Sequence, residues 1–171
     1  MTMSLDAPHR RAFLGLSATA AVAAITWRLS SGGEAGAIAA RPAPFQLSDA
    51  EWRKRLSPQA YAVLRQGSTE YPFTSPLNNE HRNGVFVCAG CALPLYASST
   101  KFDSGTGWPS FYDHLPHAIA ERPDRSLGEE RTEVRCARCG GHLGHVFNDG
   151  PPPTGLRYCM NGVAMRFVAK A

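Results

Sequence analysis

One cysteine stands apart from the other four in this sequence. Cys159 lies in GLRYCMNG, residues 155–162, which reads as a short β-strand between turn residues. If this strand is extended, alternation places Arg157, Cys159 and Asn161 on one face and apolar side chains on the other. A neighbouring guanidinium favours the thiolate, which is the nucleophilic form of cysteine. A free cysteine is also commonly a small buried apolar residue, so both interpretations stay open.

Two histidines precede this strand. The motif HLGHVFNDG contains His142 and His145, and its Asn-Asp-Gly end with the prolines that follow forms a turn back toward Cys159. The turn predicts neighbouring strands, which would bring His145 within reach of the thiol. A regular strand cannot direct both histidines to the same site, but Gly144 between them permits a turn. An ordinary loop histidine or a spare metal ligand is the alternative interpretation.

The remaining four cysteines form two Cys-x-x-Cys pairs. Two residues between thiolates let both sulfur atoms face one point, so two pairs predict one tetrahedral, structural zinc site with bonds of about 2.3 Å. The long gap between the pairs predicts that the metal joins distant parts of one larger sheet. Two disulfide bonds are the alternative for an exported protein. The predicted zinc ligands are Cys88, Cys91, Cys136 and Cys139.

The first 39 residues have the composition of an export signal. The twin arginine Arg10-Arg11 precedes an uncharged stretch at residues 12–27, and Ala37-Ile38-Ala39 offers a small-residue cleavage site. We expect residues 1–39 to act as a twin-arginine (Tat) export signal and the protein to be periplasmic or otherwise extracytoplasmic. An uncleaved membrane anchor is the alternative, and membrane contact is expected only through such an anchor.

Residues 40–171 are predicted to form a single, mainly β domain. The sequences Ser48-Asp49-Ala50-Glu51 and Ser57-Pro58 each predict the start of a short helix. Beyond residue 80, short β-prone runs alternate with clusters of Gly, Pro, Asn and Asp, which favours antiparallel sheets over a parallel βαβ sheet. The net charge is only +4 and no basic run occurs, so nucleic acid is not an expected partner.

The segment KFDSGTGWPSF, residues 101–111, completes the set of motifs. With the four paired cysteines, HLGHVF and RYCMN, it makes residues 48–168 resemble the type B methionine sulfoxide reductases. The resemblance implies two antiparallel β-sheets with short N-terminal helices and a structural four-cysteine zinc site, one zinc per chain. It also implies reduction of the R epimer of methionine sulfoxide in proteins to methionine. Oxidation creates two sulfoxide epimers that require separate enzymes.

The resemblance further implies roles for the residues around the thiol. Cys159 would attack the sulfoxide sulfur and end as a sulfenic acid, while His145, supported by His142, would donate a proton to the oxygen. Arg157 and Asn161, on the face of the strand that carries the thiol, would orient the oxygen and stabilise the developing charge.

Other residues are expected to support this chemistry. Asp149 would hold Arg157 or a histidine, and Trp108, otherwise a core anchor, would pack on the ε-methyl group that distinguishes the epimers. Many relatives carry a resolving cysteine where this chain has Thr106, and the five cysteines leave no substitute. An external thiol, either a thioredoxin-like dithiol protein or a small thiol, is therefore expected to regenerate Cys159.

Two other functional classes are compatible with the residues considered without the resemblance. An extracytoplasmic Cys-His acyl transferase would use Cys159 and His145 as a nucleophile and its base. A non-catalytic zinc-ribbon binding module would simply bury Cys159 in its core. Turnover of a methyl sulfoxide with dithiothreitol distinguishes the reductase from both.

Overall fold

The computed structural model describes residues 42–170, so the predicted export signal at residues 1–39 lies outside the described part. Two short helices come first, and nine strands follow. No helix within residues 42–170 is long and apolar enough to cross a membrane. The elements are α1 Asp49–Arg55, α2 Pro58–Gln66, β1 Gly84–Cys88, β2 Pro94–Ala97, β3 Lys101–Phe102, β4 Ser110–Phe111, β5 Ile119–Asp124, β6 Arg131–Cys136, β7 His142–Phe147, β8 Arg157–Met160 and β9 Met165–Ala169.

Both helices begin at the predicted residues. The Ser48 side chain accepts a hydrogen bond from the Glu51 amide, and the Glu51 carboxylate accepts one from the Ser48 amide at 2.8 Å, which completes a capping box. The Ser57 side chain caps α2 by accepting a hydrogen bond from the Ala60 amide, and Gly67, at φ 72°, ends the helix in the left-handed conformation that glycine adopts most readily. The two caps therefore separate the helices and fix where each one starts.

The strands form two antiparallel sheets, as the resemblance implied. The smaller sheet has three strands in the order β2-β1-β9, and the larger has six in the order β3-β4-β8-β7-β6-β5. Every paired strand in both sheets is antiparallel. The predicted fold class, mainly β with two antiparallel sheets and short N-terminal helices, is confirmed.

Aromatic side chains fill the core that β8 packs against. The Phe111 ring stacks on Tyr96 with centroids 4.4 Å apart and meets the edge of Phe86 at 4.9 Å. Met160 of β8 is fully buried, and its sulfur accepts a hydrogen bond from the Tyr96 hydroxyl at 3.1 Å. Because side chains alternate along a strand, anchoring Met160 in the core turns Cys159 toward the opposite face.

A β-bulge in β7 places both histidines on one face of the larger sheet. His145 lies opposite Glu133, and His142 lies opposite Arg135. A step of two residues along β6 therefore corresponds to a step of three residues along β7. Glu133 and Arg135 are two residues apart and therefore share a face. The extra residue at Leu143 consequently brings His142 to the same face as His145.

The expectation of a turn at Gly144 is therefore wrong. Gly144 is a strand residue that pairs with Met160, and the bulge one position earlier supplies the change of direction. A Cβ atom on Gly144 would overlap the carbonyl oxygen of Cys159. Glycine is required at this position because β7 and β8 approach each other closely, not because the chain reverses there.

Candidate active site and metal site

The thiol of Cys159 sits between two neighbouring strands and a loop. His145 of β7 lies directly opposite it on one side, and Ser110 of β4 lies opposite it on the other. Residues opposite each other on antiparallel strands project from the same face. The hydroxyl oxygen of Thr106 lies 3.9 Å from the Cys159 sulfur. The predicted proximity of His145 and Cys159 is confirmed.

An open cleft with a cavity volume of about 140 Å³ leads to the thiol. The cleft is lined by four predicted site residues: Trp108, His145, Cys159 and Asn161. Phe147 and Arg131 also line it, so its wall is partly apolar and carries one cation near the histidine.

Burial controls the ionisation of the nucleophile. Desolvation raises the pKa of Cys159, while hydrogen bonding from Thr106 and the charge of Arg157 act in the opposite direction. The expectation that Arg157 favours the thiolate is therefore correct in sign, but burial outweighs it. Cys159 rests as a thiol, and its proton must leave as the sulfur attacks.

His145 is held by a carboxylate that the sequence interpretation missed. Its Nε2 lies 2.8 Å from the Asp124 carboxylate, which also accepts a 2.6 Å hydrogen bond from Arg131. The amide of Ser126 and then His145 lower the pKa of Asp124 well below its usual range. An ionised Asp124 accepts a hydrogen bond from the Nε2–H of His145, which fixes the orientation of the ring and keeps that proton on Nε2.

His142 has a separate carboxylate partner. Its Nδ1 lies 2.7 Å from Glu133, and its ring centroid is 5.4 Å from that of His145. Burial lowers the pKa of His142 despite the neighbouring Glu133, so the ring is neutral near pH 7. Among the described residues its buried Nε2 has no hydrogen-bond partner. His142 therefore packs beside His145 rather than bonding to it.

Asp149 pairs with Arg157. The sequence predicted either Arg157 or a histidine as its partner. Two parallel hydrogen bonds of 2.8 Å join the guanidinium to the carboxylate, and Arg157 stacks over the Phe147 ring at 4.4 Å. Arg157 is largely covered, whereas the Asp149 side chain is 61% exposed. Asp149 therefore acts on the site through Arg157 and not on a histidine.

Asn161 is held by the protein at both ends of its amide. Its Nδ2 donates to the Leu143 carbonyl at 3.0 Å, its backbone amide donates to the same carbonyl at 2.8 Å, and its Oδ1 accepts from the Glu70 amide at 2.9 Å. The carbonyl belongs to the bulged residue of β7. Asn161 thereby stabilises the bulge that aligns the histidines, and its part in orienting a sulfoxide stays a prediction.

Trp108 forms one wall of the cleft. Three further residues near the cleft, Glu70, Asp124 and Glu133, are absent from the sequence-based predictions. The indole nitrogen of Trp108 donates to the Glu70 carbonyl at 3.1 Å, which fixes the ring at the cleft wall. The sequence contained a signal for Glu133, because alternation in TEVR places it with Arg135 on the polar face of a strand. Asp124 and Glu70 lie at a hairpin end and in a loop, where no periodicity indicates direction.

The four paired cysteines meet at one point. The Cys88 and Cys139 sulfurs are 3.7 Å apart, the Cys91 and Cys136 sulfurs are 3.5 Å apart, and all four lie within 4.8 Å of one another. A tetrahedron with zinc–sulfur bonds of about 2.3 Å has edges of about 3.8 Å. The four buried, unbridged thiols therefore fit one structural zinc ion and not two disulfides.

The metal site joins the two sheets instead of two parts of one sheet. Cys88 ends β1 of the smaller sheet, and Cys136 ends β6 of the larger one. Guanidinium groups donate to backbone carbonyls within or beside both cysteine turns at 2.6–3.2 Å. Their charges offset the net negative charge of zinc bound by four thiolates. The four arginines are Arg55, Arg65, Arg135 and Arg138.

Comparison with known families assigns the chain. The SelR domain matches residues 56–169, which is more than half of the sequence. Curated relatives named peptide methionine sulfoxide reductase MsrB include a protein of Agrobacterium fabrum, 56% identical over 121 residues that cover 70% of this chain and 90% of that protein. The chain belongs to the MsrB family.

Other MsrB proteins match to a similar degree. The protein from Thiobacillus denitrificans is 55% identical over 124 residues, covering 72% of this chain and 94% of the relative, and that from Leifsonia xyli is 57% identical over 122 residues, covering 70% and 88%. The crystal structure of a Mis18 Yippee-like domain aligns with 53% of this chain and 99% of that domain at a TM-score of 0.43 and 18% identity, which is too weak to support an inference. MsrB-family membership supports neither the acyl transferase nor the binding module.

Removing one zinc ligand should release the metal. We expect Cys136→Ser to lose its zinc and several kcal/mol of unfolding free energy, because structural zinc contributes ~10 kcal/mol or more in small zinc domains. Cys159→Ser, the matched control, should keep one zinc per chain. Elemental analysis and urea unfolding measure both effects. Equal zinc content and stability in Cys136→Ser and the unaltered protein would contradict the assignment.

The alkylation of Cys159 should depend on pH in the direction that burial imposes. With zinc in place, we expect the iodoacetamide reaction at Cys159 to be slow at pH 7 and to reach half its maximal rate above about pH 8.5. Thr106→Ala, which removes a hydrogen bond to the sulfur, should move that midpoint upward, and Thr106→Ser should leave it in place. A midpoint below about 8.5 in the unaltered protein would refute the dominance of burial. Mass spectrometry of the peptide follows the reaction.

Proposed function

We propose that this protein reduces the R epimer of methionine sulfoxide in proteins to methionine, with Cys159 as the nucleophile. The observation that carries the proposal is the cross-strand pair of Cys159 and His145 at the base of a cleft in an MsrB-family chain. A thiol with a proton-transfer group beside it matches the needs of sulfoxide chemistry. The sulfoxide oxygen is a poor leaving group until it is protonated.

The chemical step moves one oxygen atom. The Cys159 sulfur attacks the sulfoxide sulfur as the thiol proton passes to His145, and His145 returns a proton to the sulfoxide oxygen. The attack forms a sulfur–sulfur bond between Cys159 and the substrate. The oxygen then passes from the substrate sulfur to the Cys159 sulfur, and the sulfur–sulfur bond breaks with its electron pair going to the methionine sulfur. Methionine leaves and Cys159 becomes a sulfenic acid, so the thiol is oxidised by the two electrons that the sulfoxide gains.

The residues around this pair divide the remaining tasks. Asp124 keeps the Nε2 of His145 in a hydrogen bond and so fixes the orientation of the imidazole. Arg157 brings positive charge near the reacting sulfur, where negative charge develops on the oxygen. Trp108 and Phe147 supply apolar surface for the ε-methyl group. Asn161 orients the oxygen, and His142 supports His145 by packing beside it on the same face of the sheet.

Zinc has a structural part in this proposal. When bound by the four cysteines it ties the two sheets together and leaves no coordination position for substrate or water. Cys159 is therefore the redox-active thiol, and the zinc ligands stay out of each catalytic cycle. Sacrificing a zinc thiolate to resolve the sulfenic acid would dismantle the connection between the sheets.

Regeneration requires thiols from outside the chain. Thr106 occupies the position, 3.9 Å from the Cys159 sulfur, from which a resolving cysteine would act. Two external thiols convert the sulfenic acid to a thiol with release of water and formation of one disulfide. A thioredoxin-like dithiol protein supplies both thiols on one molecule, which makes it our proposed reductant, and a small thiol such as dithiothreitol can replace it in vitro.

Turnover should be confined to one epimer. We expect the zinc-loaded full chain with dithiothreitol to convert peptide-bound methionine R-sulfoxide and to leave the S-sulfoxide unchanged, as measured by chromatography of the products. Cys159→Ser should be inactive while its zinc stays bound, because it loses only the nucleophile. Conversion of the S epimer alone, or activity in Cys159→Ser, would refute the proposed function.

The same experiment without reductant reports the oxidised intermediate. One equivalent of R-sulfoxide should make Cys159 reactive toward dimedone, a reagent for sulfenic acids. The Thr106 hydroxyl oxygen lies 3.9 Å from the Cys159 sulfur. Thr106→Cys should therefore form a disulfide with Cys159, because the two side chains need to move together by less than about 2 Å to reach the S–S bond length of about 2.05 Å. An intramolecular disulfide in the unaltered chain would contradict regeneration by an external thiol.

The location of the protein is a separate proposal, supported by the Arg10-Arg11 motif and the uncharged stretch after it. We expect the unaltered chain to reach the periplasm of a bacterial host in folded, zinc-loaded form. Replacing both arginines by lysine should leave it in the cytoplasm with unchanged activity, because the charge is retained and the export motif is lost. Identical fractionation of the two proteins would refute the twin-arginine assignment.

A further inference from the structure

Glu70 is a buried carboxylate in an exposed loop. The loop, residues 67–75, includes Tyr71 and Phe73, which are 81% and 74% exposed, whereas Glu70 is only 4% exposed. Burial of a carboxylate is unfavourable unless hydrogen bonds compensate it. The Glu70 carboxylate accepts such bonds from the amides of Gly162 at 2.5 Å and Val163 at 3.1 Å. The carboxylate therefore anchors the loop to the chain directly after Asn161.

The backbone of Glu70 contacts two walls of the cleft at once. Its amide donates to the side chain of Asn161 at 2.9 Å, and its carbonyl accepts from the indole of Trp108 at 3.1 Å. Asn161 lies two residues after Cys159. One residue thus connects the apolar wall of the cleft to the end of the strand that carries the nucleophile.

Close packing holds the loop in this position from a second side. Ser75, at the far end of the loop, is buried against Gly162, where a Cβ atom would overlap the serine hydroxyl and lie 3.3 Å from the Glu70 carboxylate. Glycine is required because the loop rests directly on the backbone at this point. The loop can therefore shift little while the Glu70 carboxylate keeps its two bonds.

We propose that Glu70 is a positioning residue that sets the place of Trp108 relative to Cys159 and thereby the epimer selectivity of the cleft. The proposal rests on the proposed function. The sulfur of a sulfoxide carries an oxygen, a methyl group and the methionine chain. A site distinguishes its two epimers only if the surface for the methyl group and the groups that meet the oxygen keep a fixed relation.

Replacement of Glu70 by glutamine tests this role. Glutamine has nearly the same shape but only one acceptor oxygen, so its NH₂ group would face one of the two amides that now donate to the carboxylate. We expect Glu70→Gln to keep its zinc and its fold and to lose about tenfold to a hundredfold in kcat/KM for the R-sulfoxide, as misplacement of a substrate wall does. The ratio of R to S turnover should fall as well.

Two measurements separate positioning from simple destabilisation. Alkylation of Cys159 by iodoacetamide should stay within about twofold of the unaltered protein, because β8 and its neighbouring strands, not the loop, hold the sulfur. Glu80→Gln is the matched control: its side chain is also mostly covered, at 13% exposed, but it pairs with Arg82 away from the cleft. We expect Glu80→Gln to retain the kcat/KM and epimer ratio of the unaltered protein.

Every outcome has a defined meaning. A folded Glu70→Gln with unaltered kcat/KM and epimer ratio overturns the proposal, as does a variant that is only less stable while its folded fraction behaves normally. If glutamine prevents folding, Glu70→Asp keeps the charge but shortens the reach, and an unaltered epimer ratio in that variant overturns the proposal equally. Absence of R-sulfoxide turnover in the unaltered protein would instead refute the proposed function itself.

Discussion

The antiparallel pairing of β7 with β8 is the interaction on which the site depends. It places His145 opposite Cys159 and brings Gly144 against the backbone of the cysteine strand so closely that no side chain fits between them. Backbone hydrogen bonds along the ladder hold this relation, and they are insensitive to which side chains lie on the cleft face. The reactive pair is therefore positioned by the most regular part of the structure.

The core and the cleft are opposite faces of the same strand. Met160 is buried and accepts a hydrogen bond from Tyr96, whose ring stacks on Phe111, so the apolar side of β8 is anchored in the aromatic core. The zinc site adds a second connection, because its ligands come from the ends of strands in different sheets. The larger sheet carries the reactive residues, and the smaller sheet and the metal site support it. Stability and chemistry therefore depend on the same few strands.

Local patterns were sufficient for the mainly β, antiparallel class, the helix starts and the metal ligands, whereas the division into two sheets followed from the family resemblance. Capping boxes, period-two alternation and paired Cys-x-x-Cys turns are all visible within a few residues. Alternation also predicted the polar face of β8, and the turn before it predicted the neighbourhood of His145. These predictions needed only chain direction and strand geometry, not the positions of distant residues.

The remaining parts of the site depend on contacts between distant segments, which no local pattern records. Asp124 of β5 and His145 of β7 meet across the intervening strand β6, and Glu70 contacts Asn161 from a loop 91 residues earlier in the chain. The direction of the pKa shift at Cys159 could not be predicted from the sequence either, because the sequence shows the neighbouring arginine but not the burial of the thiol. The sequence predicted that Gly144 permits a turn, whereas in the structure it allows β7 and β8 to pack closely.

The bulge at Leu143 shows that the site depends on the register of β7 as well as on the residue types in it. Both carbonyl contacts of Asn161 go to this residue, so the strand end after the cysteine stabilises the irregularity that aligns the histidines. In a regular strand of the same length, the three-residue spacing would place His142 and His145 on opposite faces, so every catalytic candidate could be present and the two imidazoles would still be separated. The register of this strand therefore matters as much as its side chains, and an intact motif composition does not by itself indicate an intact site.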